Sequence, residues 1–187
     1  MATSWLSPFC SHPIGARILY YPTLLFGIMK TSGERRWYDR INDKVILGAL
    51  PLHSTVKKLV DTENVTRVVT LNESYETRCI CPTENEWNLM GVQQICIPTV
   101  DYNNAPTMQQ IKTSIEFIKE VENGKSVYVH CKAGRSRSAT VVLCYLISQY
   151  DINPTTAFDF VKSKRPHIVL GQAQTNQVDN FFNNYRM

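Results

Sequence analysis

The segment Cys131-Lys132-Ala133-Gly134-Arg135-Ser136-Arg137-Ser138 puts a nucleophile, three cations and a glycine into eight residues. If the backbone N–H groups of Lys132, Ala133, Gly134, Arg135 and Ser136 turn inward, they form a nest for an anion. The free amides and positive dipole end of a following helix would reinforce it. Gly134 permits dihedrals that a side chain would forbid. Arg137 can offer two parallel donors to a tetrahedral oxyanion, a geometry lysine lacks. The nucleotide-binding P-loop ends in Gly-Lys-Ser/Thr, and this segment does not. The field that holds a phosphate also holds a thiolate: beside cations at a helix N-terminus a cysteine titrates at about 3.5–7.5. Cys131 is therefore expected to be charged at neutral pH and to attack phosphorus, giving a phosphocysteine intermediate. Arg137 and the amides would hold the equatorial oxygens as charge moves in the transition state. Ser138 would donate to the sulfur and ease its departure. His130 would brace the loop, because a thiolate already formed needs no general base.

The loop must be positioned by its neighbours. "SVYVH" (126–130) before it reads as a buried strand, and the apolar run after it as a buried helix. "KVILGAL" (44–50), "VTRVVTL" (65–71) and "VQQICI" (92–97) are further short, β-branched runs. Met108, Ile111, Ile115 and Ile118 recur at helical steps before Asn123-Gly124. "NPTTAFDFVKSK" opens with an Asn cap and a first-turn proline, and Val178, Phe181, Phe182 and Tyr185 form a last one-sided stripe. Strands alternating with helices predict an α/β fold, a mostly parallel central sheet flanked by helices. The loop then sits at the carboxyl end of a strand, where open α/β sheets bind ligands.

At 187 residues, 43% hydrophobic and 19% charged, the chain suits one ordinary globular domain. A net charge of +4 is too mild to suggest nucleic acid, though it favours acidic or phosphorylated partners. Six cysteines, at 10, 79, 81, 96, 131 and 144, contain no CxxC pair and meet no histidines at zinc-finger spacing. They read as reduced thiols; no metal and no cofactor are expected.

Residues 1–33 contain Arg17 and Lys30 but no acid. Ile18 to Met29 is an apolar run of twelve, against the roughly 20 residues that span a bilayer. The flanks fit a secretory signal poorly. A mitochondrial targeting segment, a membrane-interface segment and a helix docked on the core remain, and the basic, acid-free lead-in favours the first. The expected division is a targeting or membrane-associating segment over 1–36 and a catalytic domain over 37–187.

"HCKAGRSRS", a Cys-x5-Arg preceded by His and followed by Ser, resembles the signature of the cysteine-dependent protein tyrosine and dual-specificity phosphatases. The resemblance runs from about Trp37 to the C-terminus and implies their fold. It also implies an aspartate about thirty residues upstream that protonates the leaving alkoxide. Asp101 in "IPTVDYNNAP" stands there, on a loop before the helix at Pro106. More narrowly, "RRWYDRI", "GALPL", "STVKKLV", "LNESYETR", "VHCKAGRSRSAT" and the leader's "ARILYYPTLLF" resemble the mitochondrial phosphatases of phosphatidylglycerophosphate. That family carries Glu-Glu-Tyr-Glu where this chain has Glu73-Ser74-Tyr75-Glu76. Glu73, Tyr75 and Glu76 are thereby expected to support the loop by holding Arg135 or Arg137.

The resemblance implies phosphatidylglycerophosphate as substrate, in cardiolipin synthesis at the matrix face of the inner mitochondrial membrane. The extra cations Lys132 and Arg135 fit an anionic phospholipid and a membrane surface. A monomer is expected. Two other readings stay open: a dual-specificity protein phosphatase for phosphotyrosine and phosphoserine/threonine, and a non-catalytic module recruiting phosphorylated partners. The retained Cys131, Arg137 and Asp101 favour an enzyme.

Overall fold

A computed structural model describes residues 36–78, 80–102 and 104–185. The expectations for the leader, Arg36 excepted, and for Cys10 and Cys79 lie outside the described residues. Five strands form one sheet: β1 (Tyr38–Arg40), β2 (Val45–Gly48), β3 (Val65–Thr70), β4 (Gln93–Cys96) and β5 (Ser126–His130), in the order β1-β2-β5-β3-β4. β1 pairs antiparallel with β2, and every other pairing is parallel. The helices are α1 (His53–Asp61), α2 (Ser74–Thr77), α3 (Glu84–Leu89), α4 (Met108–Lys119), α5 (Arg137–Tyr150), α6 (Pro154–Lys164) and α7 (Gln172–Tyr185). The mostly parallel α/β architecture is the one the alternating pattern predicts.

Both faces of the sheet are covered, so the central strands β2 and β5 are buried from end to end and alternate by face rather than by polarity. Val45, Leu47, Val69, Val127 and Val129 pack on α4, α5, α6 and α7. Ile46, Val65, Val68 and Tyr128 turn the other way, onto Val56 and Leu59 of α1 and Trp87 of α3. The sequence periodicity of α4 holds: Ile111, Ile115 and Ile118 are buried, and Thr107 caps the helix in a reciprocal box with Gln110. Asn153 caps α6 as expected, its Oδ1 accepting from Thr156 N at 2.9 Å. α5 differs in kind. Every residue from Arg137 to Ile147 is buried, which makes it the central helix that α4, α6 and α7 enclose. Of the elements no pattern announced, β1 has three residues, and α1 buries only Val56 and Leu59.

Register sets where function can sit. Gly48 and Thr70 both stand opposite His130, and Cys96 opposite Thr70. The four parallel strands therefore end at one level, and the loops after them gather at one edge. Here a buried tyrosine links β5 to β2: Tyr128 Oη donates to Ala49 O at 2.5 Å, its ring stacked on His130. That contact requires Gly48, whose absent Cβ would fall against the Tyr128 hydroxyl and ring. Gly48→Ala should overpack this seam and cost about 1–3 kcal/mol in urea unfolding. A change below about 0.3 kcal/mol would show that the ring moves aside freely.

Candidate active site

Cys131 follows β5 directly and lies 4% exposed at the floor of the loop edge. The chain from Cys131 to Ser136 curls over it before α5 begins at Arg137, so β5 and α5 fix the two ends of the loop. The turn needs a glycine: Gly134 has φ of 63°, and a Cβ there would run into the backbone of Gly48. Ser138, one residue into α5, donates from Oγ to Cys131 Sγ at 3.2 Å. Burial pushes the Cys131 thiol up, but the Arg137 charge and the Ser138 hydroxyl and N–H together outweigh it. With Asp101 opposing them, the thiol still settles below the ordinary cysteine value.

Arg137 is 1% exposed. Its Nη1 donates to Glu76 Oε1 at 2.8 Å and to Thr99 O at 2.7 Å, and Nη2 donates to Glu76 Oε2 at 3.0 Å. Burial alone would lower its pKa; the Glu76 hydrogen bonds and the Asp101, Cys131 and Glu76 charges reverse that and keep it ionised. Its Nε, also buried, meets no acceptor among the described residues. Glu76 therefore holds one edge of the guanidinium and leaves the Nε–Nη2 edge for a ligand. On that edge Asp101 Oδ1 lies 3.1 Å from Nη2, while its Oδ2 lies 3.8 Å from Lys132 Nζ. Burial lowers the Lys132 pKa, and Asp101 partly restores it.

The structure brings together Cys131, Arg137, Asp101, Ser138 and Lys132, with Ala133, Gly134 and Ser136 in the loop around them. His130 is fully buried beneath, its Nε2 2.9 Å from Thr70 Oγ1, and burial pushes it down to about 3. It ties β5 to β3 as a neutral ring, in line with a bracing part. Of the supporting residues, Glu76 grips Arg137 and takes a further hydrogen bond from Asn72 Nδ2 at 2.7 Å. Glu73 caps α2, with its N–H on Glu76 Oε1 at 3.0 Å. Tyr75 packs in the apolar cluster of Trp37, Leu50, Leu52, Ile80 and Cys81. Ser74, where the resembling family has a carboxylate, is exposed, so that departure leaves the Arg137 contact intact. Arg135 donates from Nε to His167 O at 2.9 Å.

Sequence reasoning missed Arg165. It is 1% exposed, and its Nε and Nη2 donate to Gly134 O at 2.7 Å and Ala133 O at 3.1 Å. Holding those carbonyls outward turns the loop's amides toward the pocket. Asp39, equally unforeseen, anchors it through Oδ2 at 2.7 Å from Nη1. The available signal was only a basic residue at a helix end in "SKRPH", which ordinarily means a dipole partner in solvent. Together these groups can bind a tetrahedral dianion over a charged sulfur, beside a carboxyl group.

The profile of the dual-specificity phosphatase catalytic domain matches residues 45–184. The chain is 43% identical over 171 residues to the phosphatidylglycerophosphatase and protein-tyrosine phosphatase 1 of Rattus norvegicus, covering 89% of each. It is 40% identical to the phosphatidylglycerophosphate phosphatase PTPMT1 of Arabidopsis thaliana, over 90% of this chain and 50% of that one. Among solved structures it is similar to PTPMT1 in complex with PI(5)P, with a TM-score of 0.78 and 41% identity over 81% of this chain and 97% of that one.

The geometry makes a direct prediction. Alkylation of Cys131 by iodoacetamide should reach half its maximal rate well below the value near 8.5 of a free cysteine. Ser138→Ala should move that midpoint up. A wild-type midpoint at or above the free value would mean that burial wins over Arg137.

Proposed function

Because the chain belongs to the dual-specificity phosphatase family, we propose that it hydrolyses a phosphomonoester through a phosphocysteine, with phosphatidylglycerophosphate as the substrate and phosphatidylglycerol as the product. The observation that carries the chemistry is the convergence of Cys131, Arg137 and Asp101 on one pocket. The substrate phosphate enters the Nε–Nη2 edge of Arg137 and displaces Asp101 from it. Cys131 Sγ attacks phosphorus, the ester P–O bond breaks, and Asp101 gives its proton to the departing alkoxide. Water next attacks the phosphocysteine, Asp101 takes up the water's proton, and the P–S bond breaks. The Ser138 hydroxyl steadies the sulfur as it leaves with the electron pair. Arg137 and the loop amides hold the phosphoryl oxygens throughout.

Three features support a lipid ester: the names borne by the relatives, the cations Lys132 and Arg135 beside the pocket, and the apolar leader. That leader joins the domain at Arg36, whose side chain is 63% exposed and meets Asp39. Asp39 in turn holds Arg165, so the join lies at the loop edge of the sheet. A membrane-associated enzyme would thus face its mouth toward an anionic surface. None of the described helices is long and apolar enough to cross a membrane. The acid-free leader supports a site on the inner mitochondrial membrane, facing the matrix, and a part in cardiolipin synthesis. The double name of the rat relative keeps phosphotyrosine proteins as the second reading.

Cys131→Ser should abolish turnover while substrate binding survives; turnover near the wild-type rate would exclude the covalent route. Asp101→Asn should slow an alkyl phosphate more than p-nitrophenyl phosphate, and equal losses would remove Asp101 from the acid role. Catalytic efficiency on phosphatidylglycerophosphate in vesicles should exceed that on phosphotyrosine peptides by at least about tenfold, or roughly 1.4 kcal/mol. A preference for peptides would defeat the lipid reading and spare the mechanism.

A further inference from the structure

Asp101 stands on the connection between β4 and α4. The chain before it is fixed at Thr99, whose N–H donates to Leu71 O at 3.1 Å and whose carbonyl accepts from Arg137. The chain after it is fixed by a residue from the far end of the sequence. Gln174 is fully buried in the first turn of α7. Its Nε2 donates to Tyr102 O at 2.9 Å and to Asn104 O at 2.6 Å, and its Oε1 accepts from Gly171 N at 2.7 Å.

Three contacts leave this amide one orientation. Turned over, its oxygen would face two carbonyls and its NH2 group an N–H. The backbone it grips is not relaxed: Tyr102, next to Asp101, has φ of 70°, a region a tyrosine enters only when its surroundings hold it there. The stretch leading into α7 also reaches the signature loop. His167 O accepts from Arg135 Nε, and Val169 N donates to Arg135 O at 3.1 Å. Val178 and Phe181 seat α7 in the core that holds α5, and α5 carries Arg137. One rigid frame therefore delivers both Arg137 and Gln174.

We propose that Gln174 is the positioning residue of the acid loop, fixing the Asp101 carboxyl over the leaving-group side of the pocket by clamping the two carbonyls beyond it. It touches neither substrate nor sulfur and acts through Asp101. This rests on Asp101 being the proton donor. Proton donation contributes only where the departing oxygen needs it, so loss of the clamp should scale with leaving-group basicity.

The test compares Gln174→Met, which keeps length and removes both donors, with wild type on phenyl phosphate and p-nitrophenyl phosphate. Each is measured in the Asp101 and the Asp101→Asn backgrounds. We expect kcat on phenyl phosphate to fall by about 10- to 100-fold, within the roughly 10²- to 10⁴-fold that a general acid supplies. The loss on p-nitrophenyl phosphate should be distinctly smaller, and KM should change little. In the Asp101→Asn background the same substitution should cost less than about twofold. The midpoint of Cys131 alkylation should not rise, because Arg137 and Ser138 keep their places and Asp101 only opposes them; a general loosening of the pocket would raise it. Gln174→Glu, isosteric but with an oxygen facing both carbonyls, should reproduce the pattern and serves if the methionine variant does not fold. Equal losses on the two esters, losses that persist without Asp101, or an alkylation midpoint moved up would each overturn the proposal. So would a Gln174 site that tolerates neither residue, since its part would then be in folding. An Asp101→Asn enzyme indifferent to the leaving group would overturn this inference together with the mechanism beneath it. A normal Asp101→Asn pattern beside a flat Gln174 one would overturn this inference alone.

Discussion

Burying the charge of Arg137 is the constraint on which the rest of the site depends. A guanidinium taken out of water is costly unless hydrogen-bonded and paired, and both conditions are met from one side by Glu76, itself fully buried. Removing either partner would strand the other, a loss of roughly 3–5 kcal/mol. The pair spans 61 residues of sequence, so α2 and the N-terminus of α5 must be placed before it can form. What the chain obtains in return is orientation: with Nη1 spent on Glu76 and Thr99, the remaining edge can face only the pocket. The lowered Cys131 thiol depends on it too, since the same charge, with the Ser138 hydroxyl and N–H, outweighs the burial of the sulfur.

A second buried guanidinium works on the outside of the loop. Arg137 draws negative charge into the cradle, whereas Arg165 pulls the carbonyls of Ala133 and Gly134 away from it. A nest needs both, because amides point inward only if their carbonyls are satisfied elsewhere. The arrangement also accounts for Gly134: a side chain there would meet Gly48 on one flank and Arg165 on the other. Thus β2, β5 and the end of α6 close on the loop together.

Legibility in the sequence tracked distance along the chain. Cys131 through Ser138 could be read because the groups that bind, activate and assist lie within eight residues, and the apolar runs beside them gave the strand–loop–helix setting. Strands β2 to β5 and helices α4, α6 and α7 were legible for the same local reasons, composition, periodicity and caps, whereas β1 was not. Arg165 and Asp39 were not, since their pairing joins residues 126 apart and neither looks unusual among its neighbours. Gln174 was lost in the polar run "GQAQTNQ", which reads as a solvated first turn; only the fold shows that it is the buried one. Glu76 lay between these cases: the resembling motif marked it, yet only the structure separates it from Ser74, which points to solvent.

The charges around the pocket bring anion recognition and the proton donation proposed for Asp101 to one residue. Asp101 lies 3.1 Å from Nη2 of Arg137 and 3.8 Å from Nζ of Lys132, so an anion already stands where the phosphate is proposed to bind. Substrate entry is then an exchange of one anion for another rather than the filling of a bare cationic hole. Exchange means that the Nη2 side of Arg137, whose other contacts are with Glu76 and Thr99, is met by an anion both before and after the substrate enters. It also releases the carboxyl at the moment a dianion arrives beside it, and that is the moment a proton donor is wanted. Glu76 is fixed by Arg137, Asn72 and the N–H of Glu73, which leaves the proposed donor part to Asp101, whose flanking backbone is held at Thr99 on one side and by Gln174 on the other.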